Sequence, residues 1–256
     1  IQLAQLKSCL MQLKKMITLF RKYSPVFILG FFSFFINYHY GFIGVMPMDN
    51  FVLYNGGYRV LRGYIPFTDY WLVTGPLLDY LNAFIFYING VSWKSFIIHA
   101  SFFNLIISIA SYIFFINIGL KKKFSLIYSI FYSLLFYPVV GTPFVDHHST
   151  IFLILAFYFF IFAINNNKCG YLTAIPFLFC LSFLSKQTPA AYGLLIILPL
   201  IMFYLLYNKE KRIQIISFLL LGSIASIIFL ILFFVVKKIN INNFYEQYIL
   251  FAKSLG

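Results

Sequence analysis

Three short stretches hold the side chains best able to do chemistry. Val145-Asp146-His147-His148-Ser149 sets a carboxylate beside two imidazoles, a group that can ligate a divalent ion, contact a phosphate or shuttle a proton. Adjacent histidines on one short turn do not both ligate easily, and Asp146 or Ser149 would equally serve as the N-cap of a following helix. A longer stretch, residues 48–71, carries Asp49, Arg59, Arg62 and Asp69. Its arginines suit a phosphate, because a guanidinium presents paired donors to phosphate oxygens. Asp49 and Asp69 also fit as N-caps, and Asp79 reads as an interfacial polar residue. Ser185-Lys186-Gln187-Thr188 interrupts an apolar region. Its lysine can meet an anionic headgroup, or simply snorkel to the interface.

The elements that must position these groups follow from composition. The chain has 256 residues, 62% hydrophobic and 10% charged, with mean hydropathy +0.91 and a formal net charge of +13. Soluble domains run about 45–50% apolar and about 25% charged, so a water-soluble globule is excluded. Runs of about 20 apolar residues span a bilayer, fewer where it thins. Seven segments fit: roughly 24–43, 95–118, 124–141, 149–164, 171–185, 190–207 and 213–236. Polar groups such as Lys121-Lys122-Lys123 and Asn165-Asn166-Asn167-Lys168 separate them. Residues 77–89 are too short to span and read as a re-entrant or interfacial helix. Within the 44–94 loop, Phe51, Tyr54, Tyr58 and Leu61 recur at helical spacing, with Asn55, Arg59 and Arg62 on the other side. That pattern predicts an amphipathic helix on the membrane surface, ended by Gly63 as C-terminal cap.

Charge gives an orientation. With the N-terminus inside, the cytoplasmic segments hold twelve Lys and Arg against Glu210, and the outer ones seven against five acids. This asymmetry obeys the positive-inside rule and accounts for the excess of bases without nucleic acid as a partner. Five of the six acids and all four histidines, His39, His99, His147 and His148, fall on the outer side. Ionisable groups are costly near a bilayer, so their collection on one face marks a functional site. Residues 1–23 place Leu3, Leu6, Leu10, Leu13, Ile17 and Phe20 on one stripe. They predict a cytoplasmic helix lying on anionic lipid, with a partner-binding coiled coil as the alternative. Cys9, Cys169 and Cys180 lack disulfide or zinc spacing. No signal-peptide cleavage site is visible. A first residue of Ile, and a 237–256 outer-side segment without an obvious stop, suggest a fragment.

In order and position these residues resemble the GT-C superfamily of integral-membrane glycosyltransferases. That group contains the protein mannosyltransferases, the aminoarabinose transferase of lipid A and the oligosaccharyltransferase catalytic subunits. The resemblance rests on a first span followed by a long loop opening with an acid, Asp49. Gly63-Tyr64-Ile65-Pro66-Phe67-Thr68-Asp69 and Gly75-Pro76-Leu77 follow, then a second acidic motif at Asp146 between the third and fourth spans. It implies an all-α polytopic bundle in residues 24–236, of about seven transmembrane helices with an outer-loop amphipathic helix. It also implies an inverting enzyme that moves a sugar from a polyprenyl-phosphate lipid to an acceptor on the outer face, as in a bacterial inner membrane. Asp49 would be the general base, and Asp146 with His147 would assist. A divalent ion would sit on Asp49, Asp146 and His147. By chemistry rather than by resemblance, Arg59, Arg62 and Lys186 would neutralise the leaving phosphate, with Asp69, His148 and Gln187 also binding substrate. Asp-His-His departs from the paired acids of oligosaccharyltransferases, so a metal does not follow from the family alone.

Two other readings compete. A transporter or flippase of a lipid-linked or anionic solute would use the Lys186–Pro189 break near mid-membrane, as transporters place ions on broken helices. A non-catalytic membrane subunit is the third. Clean apolar span centres and acids at the outer surface favour the enzyme.

Overall fold

The structure is a computed structural model that describes residues 23–44 and 47–254. The cytoplasmic helix expected over residues 1–23 lies outside the described residues, apart from residue 23. The chain is an all-α integral membrane protein. Helix α1 covers residues 23–40. It is followed by α2 (Pro47–Leu61), α3 (Leu77–Asn89), α4 (Trp93–Asn117), α5 (Lys122–Leu135) and α6 (Val145–Asn165). Then come a 3-10 turn (Cys169–Thr173), α7 (Ala174–Ser185), α8 (Gln187–Tyr207) and α9 (Arg212–Val236). The described chain closes on α10 (Ile241–Phe244), a π-helical turn (Tyr245–Leu250) and α11 (Phe251–Ser254).

Among the described residues four helices are long and apolar enough to cross a membrane: α4, α6, α8, and α9 with its preceding turn. The other expected spans are shorter. Cys169–Ser185 is a shorter apolar helix, and α5 has 14 residues, about 21 Å of helix. The expected span 124–141 overruns α5 because Pro138 lacks an amide donor and Gly141 takes φ +73°, a backbone state open to glycine. Residues 136–144 instead form a loop in which Gly141 N donates to Tyr137 O and Asn37 Nδ2 donates to Gly141 O. Buried protein surroundings make such non-helical backbone tolerable at membrane depth.

Interior faces are small and polar. On α5 the buried residues are Ser125, Ser129 and Ser133, one per turn, while Phe124, Tyr128 and Phe131 are exposed. Asn104 of α4 donates to Ser33 O of α1 and Ser133 O of α5, tying three helices together. Ser111 of α4 bonds Tyr158 of α6. With lipid as apolar as leucine, helices gain little by burying apolar surface against each other; close packing and interhelical hydrogen bonds hold them.

The helical ladder puts two groups of loops at opposite ends. At one end Asn117, Asn165 and Asn166 bond one another and Lys211 bonds Asn167, close in sequence to Lys121–Lys123, Lys168 and Arg212. At the other end lie α2, α3, the 136–144 loop, the α7–α8 junction and the C-terminal segment. There α2 exists as expected, and Gly63 (φ +91°) ends it, with Tyr64 N donating to Arg59 O and Gly63 N to Val60 O. Of the predicted stripe, Tyr54 and Leu61 pack against the core, and the closest contact is made by the face beside it. Asn50, Leu53, Gly56 and Gly57 are buried, whereas Phe51 and Tyr58 are exposed. A side chain on Gly56 would run into the Asp79 carboxyl, and one on Gly57 into Asn82. The glycine pair thus lets α3 lie directly on the α2 backbone.

Candidate active site

The site is built around the first turn of α6. Neither Asp146 nor Ser149 caps that helix: it begins at Val145, its N-cap is Phe144, and no side chain bonds the cap. Asp146 points instead to Lys186, with Nζ 2.8 Å from each carboxylate oxygen. Lys186 is an extended residue (φ −156°, ψ 134°) closing α7 and opening α8. The Asp146 carboxylate in the first turn of α6 suits that helix's dipole, while Lys186 sits between the C-terminal end of α7 and the N-terminal end of α8, whose dipoles act on it in opposite senses. With the side chains 31% and 39% exposed, such a pair stabilises by only about 0.2–1 kcal/mol. Its value is positional.

Serines lock the two helices beside that pair. Ser182 Oγ donates to Ser149 O, and Ser149 Oγ lies 2.8 Å from Ser182 Oγ and donates to Lys186 O. Gly75 donates its N–H to Ser185 O, and any β-carbon on Gly75 would collide with the Leu184 carbonyl. This close crossing explains the glycine of Gly75-Pro76-Leu77 and seats the α3 entry on the α7–α8 junction.

Asp49 lies in the first turn of α2 and is exposed. Its neighbour Asn50 is buried and accepts a bond from Thr142 Oγ1 at 2.9 Å, so the start of α2 touches the loop that leads into Asp146. Arg59 stacks on the Tyr70 ring at 5.1 Å, and Arg62 on Tyr58 at 6.0 Å. Both guanidinium groups belong to exposed residues. Asp69 is used locally: its Oδ2 accepts from Ile65 N at 2.6 Å, closing the turn that holds Phe67 at φ +66°. Gln187 Nε2 donates to Tyr248 O. His148 is fully buried, bonded to Tyr137 and His99. His147 packs against the Phe136, Tyr137 and Phe144 rings. Among the described residues no three His, Cys, Asp or Glu side chains gather into a metal-holding group. Asp49, Asp146 and His147 are therefore not brought together as a ligand set: Asp146 is turned to Lys186, and His147 to an aromatic wall.

Among the described residues, Asn50 Nδ2, His147 Nδ1 and Gln187 Oε1 are buried without a hydrogen-bond partner, as are Asn37 Oδ1, Asn104 Oδ1 and Tyr132 Oη elsewhere. Beside Lys186, a cavity of about 760 Å³ opens between α7, α8 and the C-terminal segment. Phe179, Phe183 and Ala191 give it apolar walls, and Gln187, Thr188 and Lys253 are its polar members.

The sequence reading missed Asp79 as a buried group. Its side chain is 1% exposed and accepts a 2.7 Å bond from Tyr70 Oη. Burial lifts its carboxyl to about 7, while the Tyr70 bond and the Arg59 charge pull the other way. It also missed Asn82 and Tyr137, and named His99 only as one of the outer-side histidines. Gly56-Gly57 was the available signal, since small residues mark close helix approach.

Residues 73–237 match the family model described as dolichyl-phosphate-mannose-protein mannosyltransferase. No curated protein and no solved structure matches the chain.

Proposed function

Because the chain belongs to the dolichyl-phosphate-mannose-protein mannosyltransferase family, and is thus a membrane glycosyltransferase of GT-C type, we propose that it moves a sugar from a polyprenyl-phosphate donor to an acceptor hydroxyl at the end of the bundle that carries Asp49 and Asp146. That end is the outer face of a bacterial inner membrane, with the basic end and the N-terminus cytoplasmic. The segregation of Lys121–Lys123, Lys168, Lys209, Lys211 and Arg212 at the other end supports this orientation.

The observation that carries the reading is the part-exposed Asp146–Lys186 pair at the α7–α8 junction, where the next two residues, Gln187 and Thr188, line the cavity of about 760 Å³. The neighbouring cavity, mainly apolar with a lysine at Lys253, suits a prenyl chain with an anionic head.

In the proposed step Asp49 takes the proton of the acceptor hydroxyl as its oxygen attacks the anomeric carbon. The bond from that carbon to the phosphate oxygen breaks, its electron pair stays on the phosphate, and the configuration inverts. Lys186 is held 2.8 Å from Asp146, in place to share itself with the leaving phosphate. Arg59 near the end of α2 and Arg62 just after it line the approach. No step uses a metal ion. Lys186 lies beside the α3 entry and the first turn of α6, at the end of the bundle rather than at mid-membrane, which favours this reading over a transporter.

Purified protein in vesicles, given polyprenyl-phosphate mannose and a hydroxyl acceptor, tests it. Asp49→Asn is expected to lower turnover by about 10²–10⁴-fold, the usual contribution of a positioned base, with the fold intact by circular dichroism. Lys186→Ala should act through the leaving group. Unchanged transfer in Asp49→Asn would remove the base assignment.

A further inference from the structure

A single buried hydrogen-bond chain crosses four helices and ends at the turn that carries Asp146. Asn82 Nδ2 of α3 donates to Leu53 O of α2 at 3.2 Å, and Asn82 Oδ1 faces His99 Nδ1 of α4 at 2.5 Å. His99 Nε2 faces His148 Nε2 of α6 at 3.0 Å, and His148 Nδ1 faces Tyr137 Oη at 2.8 Å. Phe144 N donates to Tyr137 Oη at 3.3 Å. Asn82, His99, His148 and Tyr137 are all buried, at 0–2% exposure.

Donor arithmetic gives this chain one direction. Leu53 O is an acceptor, so the Asn82 amide must turn its NH2 there and its oxygen to His99. His99 then carries its proton on Nδ1 and offers a lone pair at Nε2. His148 must donate to that lone pair, which places its own proton on Nε2 and leaves Nδ1 to accept from Tyr137. Every bond runs from Phe144 N–H toward Leu53 C=O, with both imidazoles neutral. The opposite register would place a proton on His148 Nδ1, facing Phe144 O at 3.1 Å, and the Asn82 orientation excludes it.

We infer that Asn82, His99, His148 and Tyr137 are positioning residues whose directional chain anchors the first turn of α6 and so aims Asp146 at Lys186. Helix α6 has no side-chain cap of its own, and its N-cap residue is bonded through its N–H to Tyr137. His148 lies two positions after Asp146, so fixing its ring fixes the turn. The catalytic consequence rests on the proposed function; the geometry does not.

Solid-state NMR on the full chain in lipid vesicles, with 15N-labelled histidine, tests the direction. Two of the four histidines are expected to be neutral, one protonated only on Nδ1 and one only on Nε2, with their Nε2 atoms in contact. The same tautomer in both, or an imidazolium in either, overturns the chain. Dipolar recoupling between Asp 13Cγ and Lys 15Nζ reads the positioning, because Asp146–Lys186 is the one such ion pair among the described residues. His148→Leu should abolish that coupling, and His148→Gln, which keeps a donor toward His99, should restore at least half of it. Tyr137→Phe, which keeps the ring, should weaken it and covers a His148→Leu that does not fold. A Tyr137→Phe variant with full coupling, or a His148→Gln variant no better than leucine, overturns the positioning role. With polyprenyl-phosphate mannose, Tyr137→Phe should lower kcat about tenfold at unchanged KM. An inactive wild type with the expected tautomers would defeat the proposed function and leave the inference standing.

Discussion

Helices α4 and α9 have the same length, 25 residues, and opposite relations to the protein. In α4 just over half of the span is buried, 56%; in α9, with its leading turn, 11%. The buried face of α4 mixes apolar residues such as Phe96, Ile97 and Ile107 with polar ones, and His99, Ser101, Asn104, Ser108 and Ser111 all reach partners on other elements or on their own preceding turn. The buried residues of α9 are Ile215, Gly222 and Ser226. A β-carbon on Gly222 would strike Thr173 O, so this helix meets the bundle where a residue is small. The more apolar helix is thus the more peripheral one. In a bilayer, apolarity says that a helix spans, and polarity says which side of it faces protein.

This contrast can be broken most sharply by cavities. Ile107 of α4 is 0% exposed and packs with Ala100, Tyr137, Ile151 and Tyr158. Ile107→Ala should cost about 2–4 kcal/mol, since the lost contacts are not replaced by lipid. Reversible unfolding in mixed detergent measures it. A cost below about 1 kcal/mol would mean that the α4 core is not close-packed.

Overfilling tests the serine face. Ser129 of α5 is fully buried and bonds only its own helix, at Ser125 O. Ser129→Leu should destabilise by about 1–3 kcal/mol, as forced methylenes do in a packed interior. The same change at Phe131, exposed on the other face of α5, should be nearly silent. Asn104→Leu should cost less, about 1 kcal/mol. It removes two interhelical bonds, each modest in membrane proteins, and its unpartnered Oδ1 offsets part of that loss.

The same contrast explains what the sequence disclosed. Long apolar runs located α4, α6, α8 and α9 to within a few residues, because hydropathy reports contact with lipid. It overran α5, where Phe136, Tyr137, Val139 and Val140 are apolar but Pro138 and Gly141 end the helix. The amphipathic pattern of α2 located the helix but not its protein contact, which Gly56 and Gly57 make against α3. Asp146 and Lys186 were each legible as reactive groups. Their pairing was not, because 40 residues separate them and only the serine lock between α6 and α7 brings them together. Asp79 and His99 looked like interface residues for want of any local sign of what covers them.

The smallest effect is the most discriminating. Ile228 of α9 is 52% exposed on a helix whose outer face meets hydrocarbon. Ile228→Ala deletes the same atoms as Ile107→Ala, so transfer from water would predict a similar fraction of the loss. In a bilayer the deleted methyl groups were in contact with acyl chains that flow into the space, and neither state gains or loses water contact there. The expected change is below about 0.5 kcal/mol, against about 2–4 for the buried isoleucine. A cost for Ile228→Ala that approaches the Ile107 value would show that α9 is covered by protein in the membrane, and the outer position assigned to it would have to be given up.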